Sequence, residues 1–264
     1  AWLASRRSWP SASDFPRHLL RRDVRRGFIV FWTFVSPKGG VGVSVVAAAM
    51  ATGLSKDRAV TLIDFCGDQL DIFGLDADAT SGVWDWLHAT DDVGVEALSN
   101  LEVELRPGLT ILPAGSRSKT QPVSPQRCRA LVGAFQDGRV VLGDLGVLDP
   151  DPFSPVSLVA ASSDRTTLVL RACYLALRRA RHLPVVADDV VEVVEGGRAL
   201  STLDIEAVVG RAVTTRLAVD PRVARAIDAG LLPGRLPRPL RRLVRDLMPT
   251  PSSSTFQQVE GVLP

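Results

Sequence analysis

Cysteine is scarce in this chain. Cys66, Cys128 and Cys173 are the only three in 264 residues, and no two form a C-x-x-C pair. Such spacing supports neither a disulfide framework nor a zinc site, and it fits a reducing cytoplasm. Long hydrophobic runs are missing too. The most apolar early run, "FIVFWTFV" at residues 28–35, falls far short of the roughly 20 residues that cross a bilayer. The "RRDVRRG" before it raises a twin-arginine export signal. Against that, the run leads straight into Pro37-Lys38-Gly39-Gly40 with no small-residue cleavage site, so it reads as a buried strand. Neither sign of charge prevails. The formal net charge of +2 argues neither for nor against nucleic acid, and no internal repeat is evident.

What the chain does have is enough apolar material for one sizeable core, at 46% hydrophobic residues. Its β-rich runs alternate with helical patterns, which is the mark of βαβ units around a mostly parallel sheet. Strands are expected at residues 28–35, 59–64, 109–115, 139–146, 165–170, within 183–195, and in "AVTTRLAVD". Helices are expected at 44–54, 82–88, 93–98, 125–135, 172–182 and 202–210, then in "PRVARAIDAG" and "LPRPLRRLVRDL". The fold class is therefore α/β, a three-layer sandwich. One domain is expected over residues 28–248, between a basic segment at 1–27 and a tail at 249–264 that both lack a sustained period and are expected to be flexible.

Between the first strand and first helix stands "SPKGGVGVS". Gly39, Gly40 and Gly42 let the backbone turn tightly and aim amides at phosphate oxygens, and the helix behind adds the positive end of its dipole. Ser44 is placed to ligand magnesium. Val43 stands where such loops carry a lysine.

The stretch resembles the deviant Walker A motif of the ParA/MinD family of P-loop NTPases, whose pattern is K-G-G-x-G-K-[ST]. The resemblance implies a nucleotide-binding loop of Lys38, Gly39, Gly40, Val41, Gly42, Val43 and Ser44, with ATP and Mg2+ as cofactors. Lys38 matches the lysine that in this family reaches across a nucleotide-sandwich homodimer to the partner's phosphates. Asp64 matches the second-strand acid placed near the attacking water, and "GDQLDIFGL" resembles the switch loop after it. Asp144, with Gly146 in "VVLGDLG", matches the Walker B acid, which makes Ser44 and Asp144 the implied metal ligands. "LPAGS", "CYLALRR", "GRALSTLDIEAVVG" and "DPRVARAIDAGLLPGRLPRPLRRLV" look most like the CpaE/TadZ-type branch, associated with pili and cell poles. Residues 1–27 are too few for the receiver-like domain that branch often carries. Where the family has an asparagine-containing adenine-binding segment, this chain has "ADDVVEVVE". A reductase of the nitrogenase-iron-protein type has the same architecture, but the three cysteines do not make its cluster pattern.

A P-loop lysine holds charge that redistributes during phosphoryl transfer. Losing one such group typically costs about 2.7–4 kcal/mol of transition-state stabilisation, so binding is expected to outlast turnover. The leading expectation is a nucleotide-gated positioning or scaffold protein for pilus or secretion machinery or a polar site, hydrolysing ATP weakly or not at all. The alternative is an active DNA-partitioning ATPase. Its grip on DNA would come from the arginine clusters Arg6, Arg7, Arg17, Arg21, Arg22, Arg25 and Arg26, and Arg235, Arg238, Arg241, Arg242 and Arg245. A third reading keeps the fold for protein contacts alone. An arginine such as Arg165 or Arg171 could stand in for the missing lysine. "LRRLVRDLM" at 240–248 would make membrane association peripheral at most, at the inner face, and reads first as a terminal helix packed on its own domain.

Overall fold

The alternating pattern resolves into an eight-stranded sheet in the computed structural model, which describes residues 31–75, 81–117, 121–135, 137–232 and 234–248. The strands are β1 (Phe31–Ser36), β2 (Val60–Asp64), β3 (Val103–Arg106), β4 (Leu109–Leu112), β5 (Val140–Val147), β6 (Arg165–Leu170), β7 (Asp189–Val194) and β8 (Thr215–Ala218). Their order is β3-β4-β2-β5-β1-β6-β7-β8, and every pairing is parallel except β3 with β4. The chain leaves β1 toward β2 on one side and later leaves β5 toward β6 on the other. This places the direction change beside β1, where open α/β sheets bind ligands at the strands' carboxyl ends.

Helices cover both faces, as parallel strands require. Along β1, Trp32 and Phe34 enter one core cluster while Phe31 and Val35 enter the other, which is the period of two that a strand buried on both sides imposes. The first cluster holds α1 (Val43–Leu54), α2 (Gln69–Ile72), α8 (Pro221–Asp228) and α9 (Arg238–Leu247). The second holds α3 (Val83–Leu87), α4 (Pro125–Gly133), α5 (Pro155–Ser162), α6 (Tyr174–Ala180) and α7 (Thr202–Val209).

Several expectations are corrected. The strand expected at 109–115 stops at Leu112 and gains an antiparallel neighbour, β3, across a turn at Gly108. The helix expected at 93–98 is a 3-10 turn at Val95–Leu101, and α2 and α5 were not anticipated. At four residues α2 is too short for a 3.6-residue period to register, and α5 is apolar nearly all round, so it shows no polar face to mark one. "LRRLVRDLM" is a helix packed on its own domain: Leu240, Leu243 and Leu247 are buried in the α1 cluster, and Val244 fills the space a side chain at Gly53 would need. Among the described residues no helix is long and apolar enough to cross a membrane. The expectations for residues 1–27 and 249–264, the arginines of the first segment, and the start of the first strand lie outside the described residues.

Candidate functional site

Lys38 to Ser44 run from the end of β1 into α1. Gly40 and Gly42 have φ of 74° and 97°, the left-handed region that glycine tolerates, and open space surrounds both. Gly42 is the N-cap of α1, and no side chain caps that helix. Its first-turn amides, which have no partner within a helix, therefore point out of the fold beside the loop. The Ser36 hydroxyl steadies the other end by donating to the Lys38 carbonyl at 2.9 Å. Val43 is only 6% exposed. It joins the α1 core cluster and also borders the cavity above the loop.

Asp64 and Asp144 are register partners on β2 and β5, so both point to the α1 face; Asp64 is the last residue of β2, and Asp144 stands three residues before the end of β5. Both are buried. Asp64 is turned into the loop it precedes: its carboxylate accepts the backbone N–H of Cys66 (2.9 Å), Gly67 (2.7 Å) and Gln69 (2.9 Å). Burial raises its pKa against the pull of these amides. Asp144 accepts from Gln69 Nε2 at 2.8 Å. Burial pushes its pKa up to about 6, opposed by the Gln69 and Ser44 hydrogen bonds and helped by the charges of Asp64 and Asp68. The same Gln69 amide donates to the Ser44 carbonyl at 3.0 Å, so α2 ties the first turn of α1 to the end of β5. The Ser44 hydroxyl lies 3.3 Å from Asp68 Oδ2.

Above these groups opens a cavity of about 1220 Å³, ample for a nucleotide. Its walls include Gly39 to Val45, Cys66, Asp68, Gly146 and, toward the rim, Asp71, Asp149, Asp151, Phe153 and Asp228. Among the described residues lining it there is no lysine or arginine. Lys38 is half-buried and does not line the cavity, its Nζ 3.3 Å from the Gly39 carbonyl. Arg165 is paired with Asp189 at 2.6 Å and stacked on Trp32, and Arg171 reaches Glu195 at 3.5 Å. Neither lines the cavity, so neither replaces the lysine missing at Val43.

The structure thus brings Gly39 to Ser44, Asp64 and Asp144 to one end of the sheet. It leaves Lys38 outside the cavity, and it covers Asp64 and Asp144 with the turn that follows β2. Sequence reasoning placed Asp68 and Gln69 in the switch-loop stretch without a role for either and gave Cys66 no part in the site; the three form that cover. Their signal was present in "DFCGDQLD", but which of them faces the cavity depends on a turn that no periodicity describes.

For a magnesium-bound nucleotide the residues fit. The loop and uncapped helix offer backbone donors, and Ser44, Asp68 and Asp144 offer hard oxygen ligands. In a cavity walled by carboxylates, the cation would carry the positive charge that the described side chains do not.

Neither a protein-family model nor a curated protein matches the sequence. Solved structures do match the fold. A ParA family ATPase from Chlorobium tepidum superposes with a TM-score of 0.64 at 21% identity, covering 78% of this chain and 90% of its own. The MinD cell division protein of Aquifex aeolicus gives 0.63 at 18%, covering 83% and 99%. MinD from Pyrococcus horikoshii, complexed with Mg-ADP, gives 0.63 at 15%, covering 83% and 94%. The chain therefore has the fold of the ParA/MinD P-loop NTPases.

Proposed function

We propose that this chain is a ParA/MinD-like protein that binds ATP with Mg2+ at the glycine loop and uses the bound state to position a partner, hydrolysing slowly or not at all. The observation that carries the reading is the open left-handed turn at Gly40 and Gly42 leading into an uncapped α1, beside a cavity that no described lysine or arginine lines. Backbone donors suffice to hold phosphates. Stabilising the charge that shifts during transfer needs more. In this reading Gly39 to Ser44 hold the phosphates, Ser44 and Asp144 hold the metal with Asp68 beside them, and Asp64 fixes the switch turn near the attacking water.

Half-buried Lys38 precedes Gly39, which faces Val147, and Val147 and Phe153 are two apolar side chains 47% and 76% exposed on the rim of the cavity. A second copy meeting that rim would cover them and bring its own Lys38 to this cavity, which gives an ATP-dependent homodimer. A protein partner of a pilus, secretion or polar complex, and a cytoplasmic or peripheral polar location, are the readings that go with the CpaE/TadZ-type resemblance. Calorimetry with ATP and magnesium tests the proposal. Heat of one-site binding supports it, and no heat at millimolar nucleotide would leave a fold kept for protein contacts alone. Lys38→Ala is expected to abolish ATP-dependent dimerisation in light scattering while leaving binding in place.

One observation favours the DNA-partitioning alternative. With its leucines buried, α9 turns Arg241, Arg242 and Arg245 to solvent. Two of these share Asp246, at 3.5 Å from Arg242 and 3.0 Å from Arg245, which reduces the net charge on offer. Binding to random duplex DNA that falls steeply with salt, and weakens when the three become alanine, would favour that alternative.

A further inference from the structure

Cys66 sits on the turn after β2, on the cavity wall. Its Sγ lies 3.7 Å from both the Oδ1 and the main-chain oxygen of Asp144. The approach depends on Gly146, because a Cβ there would collide with the sulfur, and its φ of 62° is left-handed. Asp64, Cys66 and Asp144 each offer a ligand atom, all within 4.8 Å of one another.

A tetrahedral ion of the zinc class holds sulfur at about 2.3 Å and carboxylate oxygen at about 2.0–2.2 Å, which sets the two ligand atoms about 3.6 Å apart. The Sγ to Oδ1 separation of 3.7 Å matches that edge. Two further observations point the same way. Gln69 is fully buried and its Nε2 grips Asp144, yet its Oε1 has no hydrogen-bond partner, so an unpaired oxygen borders the cluster. In addition, Asp64 and Asp144 are buried side by side with no ion pair to any described lysine or arginine. Buried carboxylates of that kind are usually paired or coordinate a metal.

We propose that Cys66 and Asp144, with Asp64 behind them, form a site for a sulfur-seeking divalent cation of the zinc class, reached from the cavity through Cys66. On binding, the thiol gives up its proton to water and the sulfur–metal bond replaces the S–H bond, with no change of oxidation state. Magnesium, which seeks hard oxygen ligands, gains nothing from the sulfur. The zinc-class ion and magnesium would both use Asp144, so occupancy by the first withholds that carboxylate from the second. The inference deepens the proposed reading of the cavity by naming a second cation that would act on it, and the site itself does not need nucleotide.

The test is a cobalt(II) titration of the full chain without nucleotide, in a Cys173→Ser background; Cys128 is fully buried in the core. The expected result is one ion per chain with a thiolate-to-cobalt charge-transfer band, displaced by zinc, absent in Cys66→Ser and at least about ten-fold weaker in affinity in Asp144→Asn. No band, or a band that Asp144→Asn leaves unchanged, would overturn the site. Cys66→Asp provides a check that does not depend on the Asp144 variant folding: its preference for cadmium over manganese should fall at least about ten-fold, and an unchanged preference would refute the sulfur ligand. ATP binding is measured separately by calorimetry, so a cobalt band without nucleotide heat ends the nucleotide reading and keeps the site, and the reverse result does the opposite.

Discussion

The two halves of the sheet treat charge in opposite ways. At the β6–β8 side each buried acid has its cation: Asp189 is 2.6 Å from Arg165, and Glu192 is 2.9 Å from Arg216 and 2.6 Å from the Thr202 hydroxyl. At the β2–β5 side, Asp64 and Asp144 have amide, thiol and hydroxyl donors but no described cation, and the cavity beside them has carboxylate walls with no described lysine or arginine. One half is settled by its own residues. The other is left with a charge deficit that a bound cation would fill, and unsatisfied groups of this kind mark functional sites more often than structural ones.

The sharpest way to break the comparison is to unpair the settled half. Arg165→Ala strands Asp189, 6% exposed, without its cation and removes the guanidinium from the Trp32 ring. A loss of about 4 kcal/mol is expected in denaturant unfolding. If the loss were under about 1 kcal/mol, the pairing would not be what settles that half.

Adding a cation to the other half comes next. Val43→Lys places an ammonium at the mouth of the loop, and phosphate release is expected to rise about a hundred-fold, with nucleotide affinity changing less. Phosphate release and calorimetry together read both terms. A wild-type rate already equal to that of the variant would mean that a cation from elsewhere, such as the partner's Lys38, serves the cavity.

The third prediction uses pH. Burial holds Asp144 at about 6, above the ordinary value of 3.8. A carboxyl whose folded pKa is raised binds its proton more tightly when folded, so its contribution is most favourable at low pH and is lost as pH rises through that window. Asp144→Asn is therefore expected to be more stable than wild type by about 2 kcal/mol at pH 7 and about equal to it at pH 4, in the absence of metal. Parallel unfolding curves for the two chains across that range would refute the deficit.

The smallest effect concerns a pair that belongs to neither half. Arg242 is 72% exposed where it meets Asp246, and Arg242→Ala is expected to change stability by less than about 0.5 kcal/mol in thermal unfolding. A larger loss would give the outer face of α9 a structural role that its exposure does not suggest.

Residue order alone carried the fold class, because runs such as Val140 to Leu145 and Leu168 to Leu170 have to be buried on both faces and only a helix-covered parallel sheet does that. It also carried the glycine turn, the acid that ends β2 and the acid within β5, since Gly40, Gly42, Asp64 and Asp144 follow apolar runs that read as strands. What it could not carry was orientation. Whether Asp64 faces the cavity or its own turn, whether Cys66 meets Asp144, and where Arg165 finds its charge partner all depend on strands far apart in the chain being laid side by side. The register of Asp64 with Asp144 and of β6 with β7 is set by the packing of the whole sheet. Local sequence records which groups a turn contains, and the tertiary structure decides which of them is satisfied by the chain and which is left for a ligand.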